Sequence, residues 1–357
     1  MDIEERMKLI KEVGEEILTE DELRDLLKKK KNPIAYDGFE PSGKIHIAQG
    51  LLRAINVNKL TKAGIRFKFW VADWFALMNN KMGGDLDKIK IVGEYFIEVW
   101  KACGMDMENV EFLWASDVMN DSDYWLKVIN IGRINTVTRI KRCAQIMGRN
   151  EKDSLSGAQI FYPCMQAADI FHLKADIAQL GLDQRKVNVL AREVAPKLGY
   201  TKPVVISHHM LMGLTEPPKG LTGVDAAVAK KMSKSNPNSA IFMDDSPDEV
   251  KRKIKKAYCP EGEVEDNPVL EYCKYIIFEK FDKMLIERPE KWGGNLEYSS
   301  FENLSKDFGN KKLHPMDLKQ TVSKMIIELL KPVQEHFIKD KKAKELLEKV
   351  RSFKVTK

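Results

Sequence analysis

The chain has 357 residues, of which 43% are hydrophobic and 31% charged, and its 59 Lys plus Arg against 53 Asp plus Glu leave a formal charge of +6. That composition belongs to a well-cored globular protein of one large or two moderate domains, at roughly 100 to 200 residues each, and it excludes disordered and fibrous classes. The most apolar stretch, Phe67 to Met78, is broken by Lys68 and Asp73, so no membrane span is expected, and the N-terminus MDIEERMKLIKEVGEE has neither the apolar core of a secretory signal nor an acid-poor transit composition, which predicts a cytoplasmic protein.

In chain order, residues 3 to 30 read as two charged amphipathic helices, the second opening at Thr19 with Glu22 three positions on and stopping before Pro33. This is an appended helical layer. Ile34 to Gly38 is a short strand, followed by the turn residues EPSG and a helix with apolar periodicity from Ile45 to Lys62. A strand at Phe67 to Ala72, a helix at Leu86 to Cys103 and a strand at Val110 to Ala115 continue the alternation, which predicts a parallel, doubly wound α/β sheet. Helical patterning covers Asp123 to Met147 and Tyr162 to Leu173, and Asp176 to Leu180 reads as a strand. After Asn236 and Pro237 the text becomes charged and mainly helical to the C-terminus, except for the turn-rich Arg288 to Asn295. The expected domains are 1–32, 33–240 and 241–357.

Cysteines 103, 143, 164, 259 and 273 are scattered, with no CxxC pair, so reduced thiols are expected. The His208-His209 doublet has no partner spacing that would build a metal cage. Charge is uneven. Residues 311 to 357 hold 13 Lys or Arg against 6 Asp or Glu, and Arg139, Lys141, Arg142 and Arg149 lie in an eleven-residue stretch without an acid. Two such patches suit a long polyanion, although solvated helix faces look the same.

Two strings carry phosphate chemistry. In Pro41-Ser42-Gly43-Lys44-Ile45-His46-Ile47-Ala48-Gln49 a glycine-containing loop enters a helix, whose free N–H groups and dipole favour an anion; His46 stands where it could donate to a phosphate oxygen. The second is Lys231-Met232-Ser233-Lys234-Ser235. Such a five-residue string arises by chance in about one chain of this length in ten thousand. Its two lysines, on a hydroxyl-rich loop, could close over a triphosphate and neutralise charge on departing pyrophosphate. Tyr162, Gln166 and Asp169, at i, i+4 and i+7, put three polar groups on one helix face, a pocket for a polar ligand.

These strings resemble a class I aminoacyl-tRNA synthetase, with KMSKS intact and His46-Ile47-Ala48-Gln49 in place of His-Ile-Gly-His. More closely, the chain resembles the tyrosyl-tRNA synthetases of the archaeal and eukaryotic kind, from about Tyr36 to near His336, through YDGFEPSGKIH at 36–46, YPCMQAAD at 162–169, DQRK at 183–186 and HPMDLK at 314–319. The resemblance implies a Rossmann-type catalytic domain followed by an all-α anticodon-binding domain. It implies that Tyr162, Gln166 and Gln184 hold the ammonium and backbone of tyrosine, while Tyr36 and Asp169 take the phenol hydroxyl. Gly38, Ser42, Gly43, His46, Asp183, Met232, Ser233 and Lys234 would bind ATP, with Asp183 on the ribose. His46, Gln49, Lys231 and Lys234 would be catalytic, with Mg²⁺ carried by ATP and no protein metal site. Arg142 and Arg185 would meet the tRNA acceptor stem, and Trp292 and Asp317 the anticodon of tRNA(Tyr). The family is typically homodimeric. Tryptophanyl-tRNA synthetases share the scaffold and both motifs; the pair Tyr36 and Asp169 argues for tyrosine.

Overall fold

The computed structural model describes residues 1–148, 154–218, 220–221, 223–232 and 236–353. A six-stranded sheet organises it: β1 (Gly14–Leu18), β2 (Ile34–Phe39), β3 (Arg66–Val71), β4 (Val110–Trp114), β5 (Ile177–Gly181) and β6 (Val204–His208), in the order β1-β6-β5-β2-β3-β4. All pairings are parallel except that of β1, which runs antiparallel to β6 along the edge. Side chains alternate with the pleat. Phe67, Phe69 and Val71 of β3 enter one core with Ala35, Phe39, Ile177 and Ile206, whereas Tyr36, Trp70, Ala178 and Val205 enter the other. Helices Arg53–Lys62 and Leu86–Ala102 contribute to the first core, and Ser122–Arg133 and Gly157–His172 to the second, so the sheet is wound on both faces as expected.

Beyond residue 240 come the helices Pro247–Lys256, Phe301–Gly309, Pro315–Lys339 and Lys341–Ser352. Their apolar faces (Ile254, Phe308, Leu318, Ile326, Leu347) run into the first core without a break. Among the described residues, no helix is long and apolar enough to cross a membrane.

Three features depart from the sequence reading. The N-terminal layer is not purely helical, because β1 lies between the helices Ile3–Val13 and Glu20–Lys29. Its sequence, GEEIL, hides the strand: an edge strand tolerates charge, and Glu15 and Glu16 reach His209 and Arg185. The C-terminal part is not all-α, since β7 (Met284–Ile286) and β8 (Leu296–Tyr298) form an antiparallel hairpin around the turn-rich 288–295. Three residues are too few to show a period of two. Finally, Asp123 to Met147 is not one helix: Ser122–Arg133 ends, Thr136 caps the short Val137–Lys141, and a 3₁₀ turn follows at Ala144–Met147. The apolar run of β6, immediately after Pro203, is unassigned in the sequence reading.

Candidate active site

In a doubly wound sheet the crevice lies beyond the carboxyl ends of strands where the order reverses. Here β2 leads to β3 and β4 on one side while β5 and β6 lie on the other, so the reversal falls between β2 and β5. A cavity of about 840 Å³ opens there, lined by residues at the end of or just after β2 (Gly38, Glu40, Ser42), β5 (Asp183, Gln184) and β6 (His209, Met210).

At the end expected to take the amino acid, the helix Gly157–His172 is capped by Ser156 and Gln159 in a reciprocal capping box, which fixes its start and thereby the positions of Tyr162, Gln166 and Asp169. All three line the cavity, as their spacing predicts. Asp169 is fully buried: Oδ2 accepts from the Tyr36 hydroxyl at 3.3 Å and Oδ1 from the Tyr124 hydroxyl at 2.9 Å. Burial pushes the Asp169 carboxyl well above the usual range against the pull of the two phenols. The Tyr162 hydroxyl donates to Glu40 at 2.6 Å, its ring set edge-on to Phe75. Gln166 Nε2 donates to Gln184 Oε1 at 3.0 Å, and Gln184 Nε2 to the Ile146 carbonyl at 3.2 Å. Gly38 is required by close approach, because a Cβ there would stand 2.7 Å from the Tyr36 hydroxyl oxygen.

At the end expected to take the nucleotide, the two signature segments are laced to neighbouring backbone outside the named strands. Ile47 N–H donates to the Ile241 carbonyl at 2.8 Å and Met243 N–H to Ile45 at 3.0 Å, around a bridge between His46 and Phe242. A π turn at Ala48–Leu52 then carries Gln49 into the helix Arg53–Lys62. The other segment is paired through Gly213 N–H to Lys230 O at 2.9 Å and Met232 N–H to Leu211 O at 3.1 Å. Lys231 Nζ lies 2.7 Å from Asp183 Oδ2. Burial pushes the Asp183 carboxyl up, but the ammonium beside it prevails and holds it below the usual range. Behind them Arg53 faces the buried Asp37 at 3.4 Å, and burial, opposed by Arg53, pushes Asp37 up to about 6. Gln179 Nε2 donates to His208 Nδ1 at 2.8 Å, and burial together with Arg53 lowers His208 to about 3, so it is neutral.

Of the predicted site residues, Tyr36, Gly38, Ser42, His46, Gln49, Tyr162, Gln166, Asp169, Asp183, Gln184, Lys231 and Met232 line this one cavity. Gly43 is in the loop outside the lining, and Ser233 and Lys234, with Arg149 of the basic cluster, lie outside the described residues. Arg142 is exposed at the end of the helix Val137–Lys141, while Arg185 is clasped by Glu16 of β1 at 2.8 and 2.9 Å. Trp292 is 66% exposed on the β7–β8 loop, where Gly293 turns the chain at φ 93°, and Asp317 is in the first turn of Pro315–Lys339. Arg288 ties that loop to the segment just before this helix, donating to the Gly294 carbonyl at 2.9 Å and the Lys312 carbonyl at 3.0 Å.

Sequence reasoning missed Tyr124, Glu40, Arg53 and His208 as parts of the site. Tyr124 carries no signal, being 45 residues from Asp169. Arg53, four residues after Gln49, could have been found by following that helix face.

A family model described as tRNA synthetases class I (W and Y) matches residues 28–331. The chain belongs to that family. Within it, the chain is 54% identical over 358 residues to tyrosine--tRNA ligase 1, cytoplasmic, of Arabidopsis thaliana, covering 99% of this chain and 90% of that protein. Among solved structures, the tyrosyl-tRNA synthetase of Pyrococcus horikoshii complexed with L-tyrosine is similar with a TM-score of 0.91 at 41% identity, over 99% of this chain and 100% of that one. The Leishmania major tyrosyl-tRNA synthetase in complex with tyrosinol gives a TM-score of 0.89 at 47% identity over 99% of this chain, which spans 61% of that longer one.

Proposed function

We propose that this chain is a tyrosine–tRNA ligase that activates tyrosine with ATP and transfers it to the 3′ end of tRNA(Tyr). The observation that carries tyrosine is Asp169: a fully buried carboxylate whose two oxygens already accept one phenol each and keep lone pairs for a third hydroxyl. Phenylalanine would leave that group short of a donor, which is how such sites reject the analogue lacking a hydroxyl. The best-known instance of this effect is itself a tyrosyl-tRNA synthetase, which rejects phenylalanine by about 10⁵, a magnitude belonging to that enzyme and not a result of the present geometry.

In the first step a carboxylate oxygen of tyrosine bonds to the α-phosphorus as its bond to the bridging oxygen breaks, and pyrophosphate leaves. In the second, a tRNA 3′-terminal hydroxyl attacks the adenylate carbonyl and AMP leaves. Neither step needs a protein nucleophile. Gln166, Gln184 and Tyr162 orient the amino acid; Asp183 holds the ribose; His46, Lys231 and Lys234 meet the phosphates. Gln49 donates a hydrogen bond but carries no charge. Magnesium enters with ATP as part of the substrate, bound mainly through phosphate oxygens and water.

Recognition of tRNA falls to Arg142 and Arg185 at the acceptor stem and to Trp292 and Asp317 at the anticodon. An exposed indole held by a tied loop suits stacking of an unpaired base, and a carboxylate at the adjacent helix start suits acceptance from a base edge. A homodimer is supported by the apolar Leu126, Ile129, Val137 and Phe161, each more than half exposed on or beside helices that frame the site. The setting proposed is the cytoplasm, and the domain limits 1–32, 33–240 and 241–357 are kept as a functional division.

The test is ATP–pyrophosphate exchange run separately with tyrosine, tryptophan and phenylalanine. Exchange with tyrosine alone is expected; exchange with tryptophan would overturn the roles of Tyr36 and Asp169.

A further inference from the structure

Arg53 also lines the nucleotide half of the cavity. It opens the helix Arg53–Lys62, four residues on from the uncharged Gln49. Its side chain is laid over an aromatic shelf, with Cζ 5.8 Å from the ring centres of Phe69 and of Trp100, and Nη1 is 3.4 Å from Asp37 Oδ2. The Arg53 side chain is 14% exposed, so most of it is withdrawn from water. Yet among the described residues Nη1 finds no hydrogen-bond partner, and neither oxygen of Asp37 meets hydrogen-bond geometry. A guanidinium has five donors and stays charged. Nη1 itself is buried against Asp37; held there at ion-pair distance and by two ring faces, the guanidinium keeps the donors on Nε and Nη2 for an incoming anion.

Its position decides which anion. Arg53 acts electrostatically on His208 and on Asp37, and Asp183, the proposed ribose partner, acts on the same two groups. His46 and Lys231, proposed for the phosphates, line the same cavity. We propose that Arg53 is a catalytic residue of the adenylate-forming step, its guanidinium contacting the phosphate chain of ATP and stabilising the negative charge that builds on the α-phosphate oxygens and the departing pyrophosphate. The inference rests on the ligase reading above. Arg53 transfers no proton: the electron pair of the breaking P–O bond leaves with pyrophosphate, and the arginine is a fixed cation in the same cavity as Lys231. Such a cation costs no reorganisation during the reaction and acts strongly in a dry site.

The competing role is structural, as the counter-ion of Asp37. Removing Arg53 alone would strand a buried carboxylate, so the decisive variant is D37N/R53Q, in which two amides replace the pair. Wild type, R53K, R53Q and D37N/R53Q are compared in tyrosine-dependent ATP–pyrophosphate exchange. Rates are expressed per tyrosine-binding site, which counts folded molecules even where a variant is partly unfolded. The double variant is expected to lose about 100- to 1,000-fold in kcat with its KM for tyrosine close to that of wild type, and R53K to retain more activity than R53Q. Wild-type kcat per site in the double variant overturns the inference alone. Absence of exchange in the wild-type protein overturns the ligase reading and this inference together.

Discussion

The two ends of the cavity are built differently. At the amino-acid end the groups that would meet tyrosine are already hydrogen-bonded to one another: Asp169 to Tyr36 and Tyr124, Tyr162 to Glu40, Gln166 to Gln184 and on to the Ile146 carbonyl. At the end proposed for the nucleotide the groups are mostly charged and loosely matched: Lys231 rests on Asp183, Arg53 faces Asp37 without a hydrogen bond, and the uncharged Gln49 has its Oε1 buried without a partner among the described residues. A neutral phenol is recognised by a fixed network, because a misplaced donor costs the full desolvation of its partner. Charge that grows during a reaction is better met by cations whose resting partners can be exchanged for the substrate. The pair Lys231 and Asp183 joins two groups that ATP would engage separately, one on phosphate and one on ribose.

The strongest way to break the first half of this contrast is Asp169→Ala. It removes the acceptor shared by two protein phenols and the ligand, and the ratio of kcat/KM for tyrosine over phenylalanine is expected to fall by about 10³- to 10⁴-fold in pyrophosphate exchange. An unchanged ratio would mean that discrimination resides elsewhere. At the other end, Lys231→Ala is expected to lower kcat by about 100- to 1,000-fold while leaving tyrosine binding, measured by calorimetry, nearly intact. Loss of tyrosine affinity instead would show that the two ends are not separable.

A pH series sharpens the nucleotide end. Burial works against protonation of His209, but hydrogen bonds from its ring to Glu15 and Glu271 prevail and raise it to about 9. The unfolded histidine titrates near 6.5, so the folded state keeps a proton that the unfolded chain gives up between those values. The stabilisation is complete below pH 6.5 and is lost as pH rises through 9, on the order of 3 kcal/mol in all. Because Glu271 also accepts from the amide of Met212, the residue whose isolated bridge anchors Lys231, the loss should loosen that loop. Denaturant melts between pH 6 and 10 should show the decline in wild type and a flatter curve in His209→Gln. The smallest effect is expected for Tyr124→Phe, which deletes one hydroxyl from a carboxylate with another donor: about a tenfold fall, or less, in kcat/KM for tyrosine.

Much of the site was legible because its parts are local. Tyr162, Gln166 and Asp169 share a helix face by spacing alone, and the KMSKS string and the Pro41–Gln49 loop each announce phosphate chemistry within nine residues or fewer. The alternation of strands and helices from Ile34 to Leu180 likewise carries its own period, and the observed β2 to β5 fall where it predicts them. What stayed hidden has no local signature. β1 is charged because an edge strand faces solvent and side-chain partners, and β7 and β8 are too short to show an alternation. Tyr124 reaches Asp169 only because the helices Ser122–Arg133 and Gly157–His172 pack together.

By itself the sequence determined the class of fold, the helix face that lines one end of the cavity and the two strings proposed to meet phosphate, since each depends on periodicity or on residues adjacent in the chain. Tertiary structure alone decided that Arg185 is held by Glu16, that Lys231 rests on Asp183, and that Arg53 shares a buried corner with Asp37 and the rings of Phe69 and Trp100. The reason is that charge pairing acts across space between groups distant in the chain, and only the winding of the sheet brings them within reach.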